Sequence, residues 1–199
     1  MVSSPPSAPR FVWSSMKIPD QAQKVFEGVI FDVYQWEQKM FDGSKATFEA
    51  LRRTGTVQVI PLVDDKIVLA QEEQPMAKKK WSFVGGRQEL GEEPIETAKR
   101  ELMEETGLAC DDWTLFKRYE AEGKLDWTKY IYVARGCKKV KEPELDPGEK
   151  IVLSEVSFED FVSIVSDRDF WGQDVANDLF RIIHEGGLGG YRDAIFGTK

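Results

Sequence analysis

In this 199-residue chain the side chains best placed to do chemistry are three glutamates, Glu101, Glu104 and Glu105. They follow a glycine-flanked stretch with Gly85, Gly86 and Gly91, in a segment where Ile95, Ala98 and Leu102 recur at helical spacing. Pro94 suits the first turn of that helix and Gly107 the position just past its last. Offsets of three and four residues gather the carboxylates within one turn, on a shared face. Like charges so spaced repel, and a hard divalent cation that prefers oxygen ligands would offset the repulsion. Arg100, four residues before Glu104, could hold one carboxylate by a charge-assisted contact. Taken alone, the three glutamates also fit a solvated acidic helix face.

The wider stretch, GRQELGEEPIETAKRELMEETGL, decides between these readings. It resembles the Nudix box at each specified position: Gly86, Glu92, Arg100, Glu101, Leu102, Glu104, Glu105, Gly107 and Leu108. The resemblance covers roughly residues 56–187 and implies a mixed sheet between helices, with the box as a loop-helix-loop on one side. It further implies hydrolysis of a nucleoside diphosphate linked to another moiety. Glu101, Glu104 and Glu105 are then the expected Mg²⁺ (or Mn²⁺) ligands, joined by the backbone carbonyl of Gly85. Arg100 and Glu92 would orient those ligands. Relatives that cleave ADP-ribose often supply another glutamate ahead of the last strand. The stretch ELDPGEKI offers Glu149 there as catalytic base, with Glu144 and Asp146 as weaker candidates. Gly86, Arg87 and Gln74 are the positions expected to meet substrate.

The β-rich segment ahead of the box also looks like the ADP-ribose and nucleotide-sugar branch, which implies a homodimer by analogy. Trp36, Phe31 and Phe48 are candidate stacking or interface residues, though such aromatics are more often core. Two features depart from that branch. Gln74 stands where many ADP-ribose hydrolases carry an arginine, a gap that Arg87 or the Lys78-Lys79-Lys80 run could fill. Gly123 stands near a position where a proline is common. The expected reaction is therefore hydrolysis of ADP-ribose or a related nucleoside diphosphate sugar to a nucleoside monophosphate and a sugar phosphate. GDP-mannose, a dinucleoside polyphosphate or a damaged nucleotide remain alternatives, as does a module that senses a nucleotide without cleaving it.

Composition narrows the class. With 41% hydrophobic and 12% aromatic residues, the chain can bury one sizeable core. A net charge of −8 argues against broad binding of nucleic acid or anionic membranes, and no apolar run approaches a membrane span. Cys110 and Cys137 fit neither a disulfide framework nor a zinc cluster, so two reduced thiols and a cytoplasmic location are expected. The single His184 lies in an apolar, helix-like segment and reads as structural.

The elements that must position the site follow from pattern. Residues 1–20, rich in Ser and Pro, read as a flexible arm in which Phe11 and Trp13 could dock on a surface. Residues 21–55 read as an added N-terminal antiparallel β segment, with a hairpin signal at Asp42-Gly43. Residues 56–187 form the box-bearing domain, with strands at TVQVIPLV, KIVLAQEEQ, WSFV, WTLFKRYEAEG, DWTKYIYVARG and IVLSEVS. Ser157 with Asp160 opens one late helix, and a second spans about 173–185 with Val175, Leu179, Ile182 and Ile183 facing the core. Residues 188–199 read as a loose, glycine-rich tail. The sum is an α+β fold, a mixed α/β sandwich.

Overall fold

The computed structural model describes residues 18–75, 77–78 and 81–197. Residues 1–17 of the expected arm, with Phe11 and Trp13, and the lysines Lys79 and Lys80 therefore lie outside the described residues, whereas Ile18, at the arm's expected end, is buried with Trp36 and Ala50. The chain divides into two compact units, one of residues up to Arg53 together with Glu120–Asp126, the other of Thr54–Tyr119 and Trp127–Lys199.

In the first unit, β1 (Gln23–Glu27), β2 (Asp32–Lys39) and β3 (Lys45–Arg52) form an antiparallel meander. The two-residue strand at Leu125–Asp126 pairs parallel with β3. Asp42 and Gly43 make the β2–β3 turn, with Gly43 at φ 87° and the Asp42 carboxylate accepting from the Ser44 N–H at 2.9 Å. Trp36 is buried here against Phe48, so it belongs to this unit's core.

The second unit holds the box. Its strands are β4 (Thr56–Val63), β5 (Lys66–Gln74), β6 (Ala77–Lys78) and β7 (Trp81–Ser82). The box helix α1 (Pro94–Thr106) follows, then β8 (Leu108–Ala109), β9 (Asp112–Glu120), β11 (Thr128–Arg135), β12 (Lys138–Lys139) and β13 (Lys150–Val156), with β10, the Leu125–Asp126 strand of the first unit, between β9 and β11 in sequence. The chain ends with α2 (Phe158–Val165), β14 (Phe170–Trp171), α3 (Gln173–His184) and α4 (Leu188–Phe196). The main sheet runs β14-β7-β5-β4-β11-β9, with β13 and β6 also pairing with β5. It is mixed: β4 and β11 are parallel, whereas β4 with β5 and β5 with β13 are antiparallel.

Period-2 alternation gives this sheet two apolar faces. Ile60, Leu62, Ile67 and Leu69 point to the side packed by α2, α3 and α4, while Val57, Val59, Val68 and Ala70 point to the side packed by α1. The mixed α/β sandwich expected from sequence is what forms. Ser157 caps α2 by accepting from the Asp160 N–H at 3.1 Å. In α3, Val175, Ala176 and Leu179 are buried, Ile182 packs partly against the core, and Ile183 and His184 are exposed.

Ile183, expected to face the core, is thus exposed, and two further expectations need correction. The stretch read as a loose tail is helical over Leu188–Phe196 despite Gly189 and Gly190. Burial of Tyr191 and Ile195, with Arg135 donating to the carbonyls of Ala194 and Ile195 at 2.7 Å each, outweighs the poor helix propensity of glycine. The cysteines are not free thiols: Cys110 and Cys137 form a disulfide. The reason lies in register. The β8–β12 ladder pairs Ala109 with Lys138, so the next residue of one strand and the preceding residue of the other, Cys110 and Cys137, fall opposite each other although 27 positions apart.

Closing a loop of that length restrains the unfolded chain, so the Cys110→Ser/Cys137→Ser double variant should lose about 2–4 kcal/mol of stability. Denaturant unfolding with and without reductant measures this. Two alkylatable thiols in the unreduced, unfolded wild type would contradict the pairing.

Candidate active site

The site is built where the loop after β7 meets α1. Three backbone contacts fix the loop against β4: a bridge of Val84 to Val59, a bridge of Arg87 to Thr56, and donation from the Val57 N–H to the Gly86 carbonyl at 2.9 Å. Glycine is required at Gly85 by backbone, while at Gly86 a side chain would displace the Glu101 carboxylate. A Cβ on Gly85, which sits at φ 139°, would lie 2.2 Å from the Val57 carbonyl oxygen. One on Gly86 would lie 2.4–2.7 Å from the atoms of the Glu101 carboxylate.

Helix α1 begins at Pro94 and ends at Gly107, whose φ of 69° lets its N–H reach the Met103 carbonyl. Ala98 and Leu102 are fully buried against the sheet and fix the helix rotation. That rotation carries Glu105 inward, to 6% exposure, where its Oε2 accepts from the Gly85 N–H at 2.8 Å. Glu101 is largely buried and Glu104 is part-exposed.

Arg100 ties the set together. Its Nε and Nη2 donate to the two carboxylate oxygens of Glu92 at 3.1 and 3.2 Å. Its Nη1 donates to Glu101 at 2.9 Å and to Glu104 at 3.0 Å, and Nη2 also reaches the Arg87 carbonyl at 3.3 Å. Glu92 accepts further from the buried Thr97 hydroxyl at 2.7 Å and the Glu89 N–H at 3.1 Å. Donation by Arg100 holds the Glu92 carboxyl down to about 2. Burial pushes Glu101 up to about 7, against the pull of Arg100, with Glu104 and Glu149 adding repulsion. Burial pushes Glu105 up to about 9, against the Gly85 N–H, with repulsion from Glu101, Glu72 and Glu149.

Glu149 is thus brought within electrostatic reach of Glu101 and Glu105, half-buried just ahead of β13. Its loop is anchored to the end of α1: Val140 and Lys141 N–H donate to the Gly107 carbonyl at 2.9 and 3.3 Å, and Glu144 N–H to the Glu104 carbonyl at 2.7 Å. The Glu144 side chain pairs with Lys141 at 3.0 Å, and the Asp146 carbonyl accepts from the Glu149 N–H at 2.9 Å. Arg87 is exposed at the loop, and the Gln74 amide donates to Glu72.

Glu72 is the residue that sequence reasoning missed. It is 6% exposed on β5 and accepts from the Ser82 hydroxyl at 3.5 Å. The signal was available, because the alternation Val68, Ala70, Glu72 continues one face of a strand whose first members are core.

Among the described residues no three acidic, histidine or cysteine side chains stand close enough to enclose a metal ion. Glu101 and Glu104 are drawn onto one nitrogen of Arg100, whereas Glu105 turns to the Gly85 N–H. The donor set still fits a hard divalent cation: it is all oxygen, it is acidic, and burial together with mutual repulsion disfavours its charged form.

These shifts set a pH dependence for the chelated protein. The folded Glu101 and Glu105 carboxyls sit above the ordinary 4.5, so their contribution to stability is complete below 4.5 and is lost as pH rises through about 7 and about 9. Glu92, held near 2, acts oppositely and contributes above 4.5, losing that only as pH falls towards 2. In chelator the melting temperature should fall between pH 5 and 9, and millimolar Mg²⁺ should flatten the fall. A profile in chelator with no slope over that range would contradict the burial of these groups.

The family model described as NUDIX domain matches residues 52–175, more than half of the chain. The ADP-ribose pyrophosphatase of Bacillus subtilis (strain 168) is 29% identical over 153 residues, covering 75% of this chain and 83% of that protein. The methanol dehydrogenase activator of Bacillus methanolicus is also 29% identical over 153 residues, covering 74% and 82%. A crystal structure of an ADP compounds hydrolase superposes with a TM-score of 0.64 at 23% identity, over 83% of this chain and 94% of that one, which is a likeness of fold. With the box loop, the glutamate helix and the mixed sheet all in place, the chain belongs to the Nudix family.

Proposed function

We propose that this protein is a Mg²⁺-dependent Nudix pyrophosphatase that hydrolyses the diphosphate of ADP-ribose or a related nucleoside diphosphate sugar. The observation that carries the reading is the pairing of Glu101 and Glu104 on Arg100, with the buried Glu105 held on the Gly85 N–H beside the Gly85-Gly86 turn. The names of its relatives supply the substrate class.

Glu101, Glu104, Glu105 and the Gly85 carbonyl would hold the ion, with Mn²⁺ as a possible substitute. A divalent cation supplies charge neutralisation for the diphosphate and acidifies water. The remaining work falls to side chains. Arg100, fixed by two bonds to Glu92, keeps Glu101 and Glu104 oriented. A carboxylate oxygen of Glu149 takes the proton from the attacking water as its oxygen bonds to phosphorus. The phosphoanhydride P–O bond then breaks, giving AMP and ribose 5-phosphate from ADP-ribose. Gly86, Arg87 and Gln74 line the approach of the phosphates and sugar.

In the first unit Phe26, Val29 and Ile30 are exposed about the β1–β2 turn, and we assign this apolar surface to a homodimer contact. The working location in this reading is the cytoplasm, and among the described residues no helix is long and apolar enough to cross a membrane.

The test is a panel of ADP-ribose, GDP-mannose, dinucleoside polyphosphate and oxidised nucleotide, assayed with Mg²⁺ for nucleoside monophosphate release. ADP-ribose should give AMP with the highest kcat/KM, and preference for another member of the panel would overturn the substrate assignment. Glu105→Gln should lose nearly all turnover while staying folded. Glu149→Gln should lose at least about 100-fold in kcat, the scale of a lost general base. Wild-type turnover by Glu149→Gln would show that another group takes the proton. Light scattering should give twice the chain mass.

A further inference from the structure

Gln58 carries a buried polar atom that the fold leaves without a partner. The residue is 6% exposed on β4, and its amide oxygen accepts no hydrogen bond among the described residues. An amide so placed costs stability, where an apolar side chain of similar size would add to it. Its row on the strand is otherwise apolar, since Ile60 and Leu62 join the core under α2, α3 and α4. The row turns polar where β4 meets the glycine turn. Donation from the Val57 N–H to the Gly86 carbonyl and from the Val59 N–H to the Val84 carbonyl sets Gln58 opposite Gly85. A Cβ on Gly85 would lie 2.9 Å from the Gln58 Cα.

This end of β4 is open on one side only. Towards α1, Val57 and Val59 are fully buried in the core. On the side of Gln58, the next residue of the row is Thr56, whose hydroxyl accepts from the Trp127 indole N–H at 3.1 Å. Parallel to it, the matching row of β11 passes from Val133 and Ile131 to Lys129, which donates to Asp174 at the start of α3 at 2.6 Å. Thr56, Trp127 and Lys129 are part-exposed, so Gln58 stands where the core gives way to a polar rim.

We propose that Gln58 is a substrate-binding residue whose amide hydrogen-bonds an uncharged donor–acceptor edge of the nucleotide, on its base or its terminal sugar. The inference rests on the pyrophosphatase reading given above and deepens it with a contact outside the box. Gly86 and Arg87, the loop positions expected to meet the phosphates, lie against Val57 and Thr56, so a group joined to those phosphates that runs along the open side of β4 meets Gln58. A carboxamide offers both an acceptor and donors, which suits a neutral edge that carries both. The unpartnered oxygen is then satisfied only when substrate is bound.

The experiment uses the full chain with Mg²⁺ and three probes: ADP-ribose, GDP-ribose with the base exchanged, and ADP-glucose with the sugar exchanged. Gln58→Met, similar in size but without hydrogen-bonding groups, should raise KM for ADP-ribose about tenfold and leave kcat within about threefold. Its melting temperature without substrate should equal or exceed that of wild type. A loss that shrinks on exchange of the base assigns the contact to the base, and one that shrinks on exchange of the sugar assigns it to the sugar. A loss that survives both exchanges would overturn the proposal. So would a folded Gln58→Met with wild-type KM, because a buried water would then be the amide's partner. A lower melting temperature would overturn it too, by showing that the amide serves the fold. Gln58→Asn keeps the amide but draws it back by one methylene and should also raise KM, so it decides the matter should Gln58→Met fail to fold. Cleavage of none of the three by wild type would instead overturn the pyrophosphatase reading, which keeps the two failures distinguishable.

Discussion

The structure depends on a conflict between burial and charge. Helix α1 must turn Ala98 and Leu102 into the sheet to be stable, and that rotation drags Glu105 inward and brings Glu101 under the glycine turn. Carboxylates so placed lose hydration and repel one another, with Glu72 and Glu149 adding to the field. Arg100 relieves part of this by donating to Glu92, Glu101 and Glu104 at once. One guanidinium facing several acids leaves a negative excess, and that excess is what a cation would answer.

The rest of the box-bearing unit holds this conflict in place. The sheet fixes the loop through Thr56, Val57 and Val59, while Gly85 allows backbone where no side chain fits and Gly86 leaves room for the Glu101 carboxylate. The loop that carries Glu149 hangs from the last turn of α1 by backbone bonds from Val140, Lys141 and Glu144. The disulfide fastens the two chain segments from which that loop departs. Helix and loop are therefore one mechanical piece, and the candidate base is positioned relative to the carboxylates by backbone rather than by flexible side chains.

How much of this could be read beforehand depended on how local the determinants were. The helix, its Pro94 start and its Gly107 stop lie within one stretch, as do the offsets of Glu92, Arg100 and the three glutamates, so the core of the site was legible. Strand patterns gave the sheet, and the Ser157–Asp160 spacing gave the α2 cap. What escaped was non-local. Pairing of Cys110 with Cys137 required the β8–β12 register. The last helix required knowing that Tyr191 and Ile195 had a surface to pack on and that Arg135 would cap it. Glu72 looked like one acid among several in QEEQ, and only its face of β5 distinguishes it from the exposed Glu73.

The central claim, that fold-imposed crowding of carboxylates creates the cation site, is tested most directly by calorimetric titration of Mg²⁺ near pH 7 in buffers of different ionisation enthalpy. Carboxyls held at about 7 and about 9 carry protons that an arriving cation must displace. The account predicts saturable binding with net release of about one proton or more per protein. Binding with no proton release, or no binding at all, would contradict it.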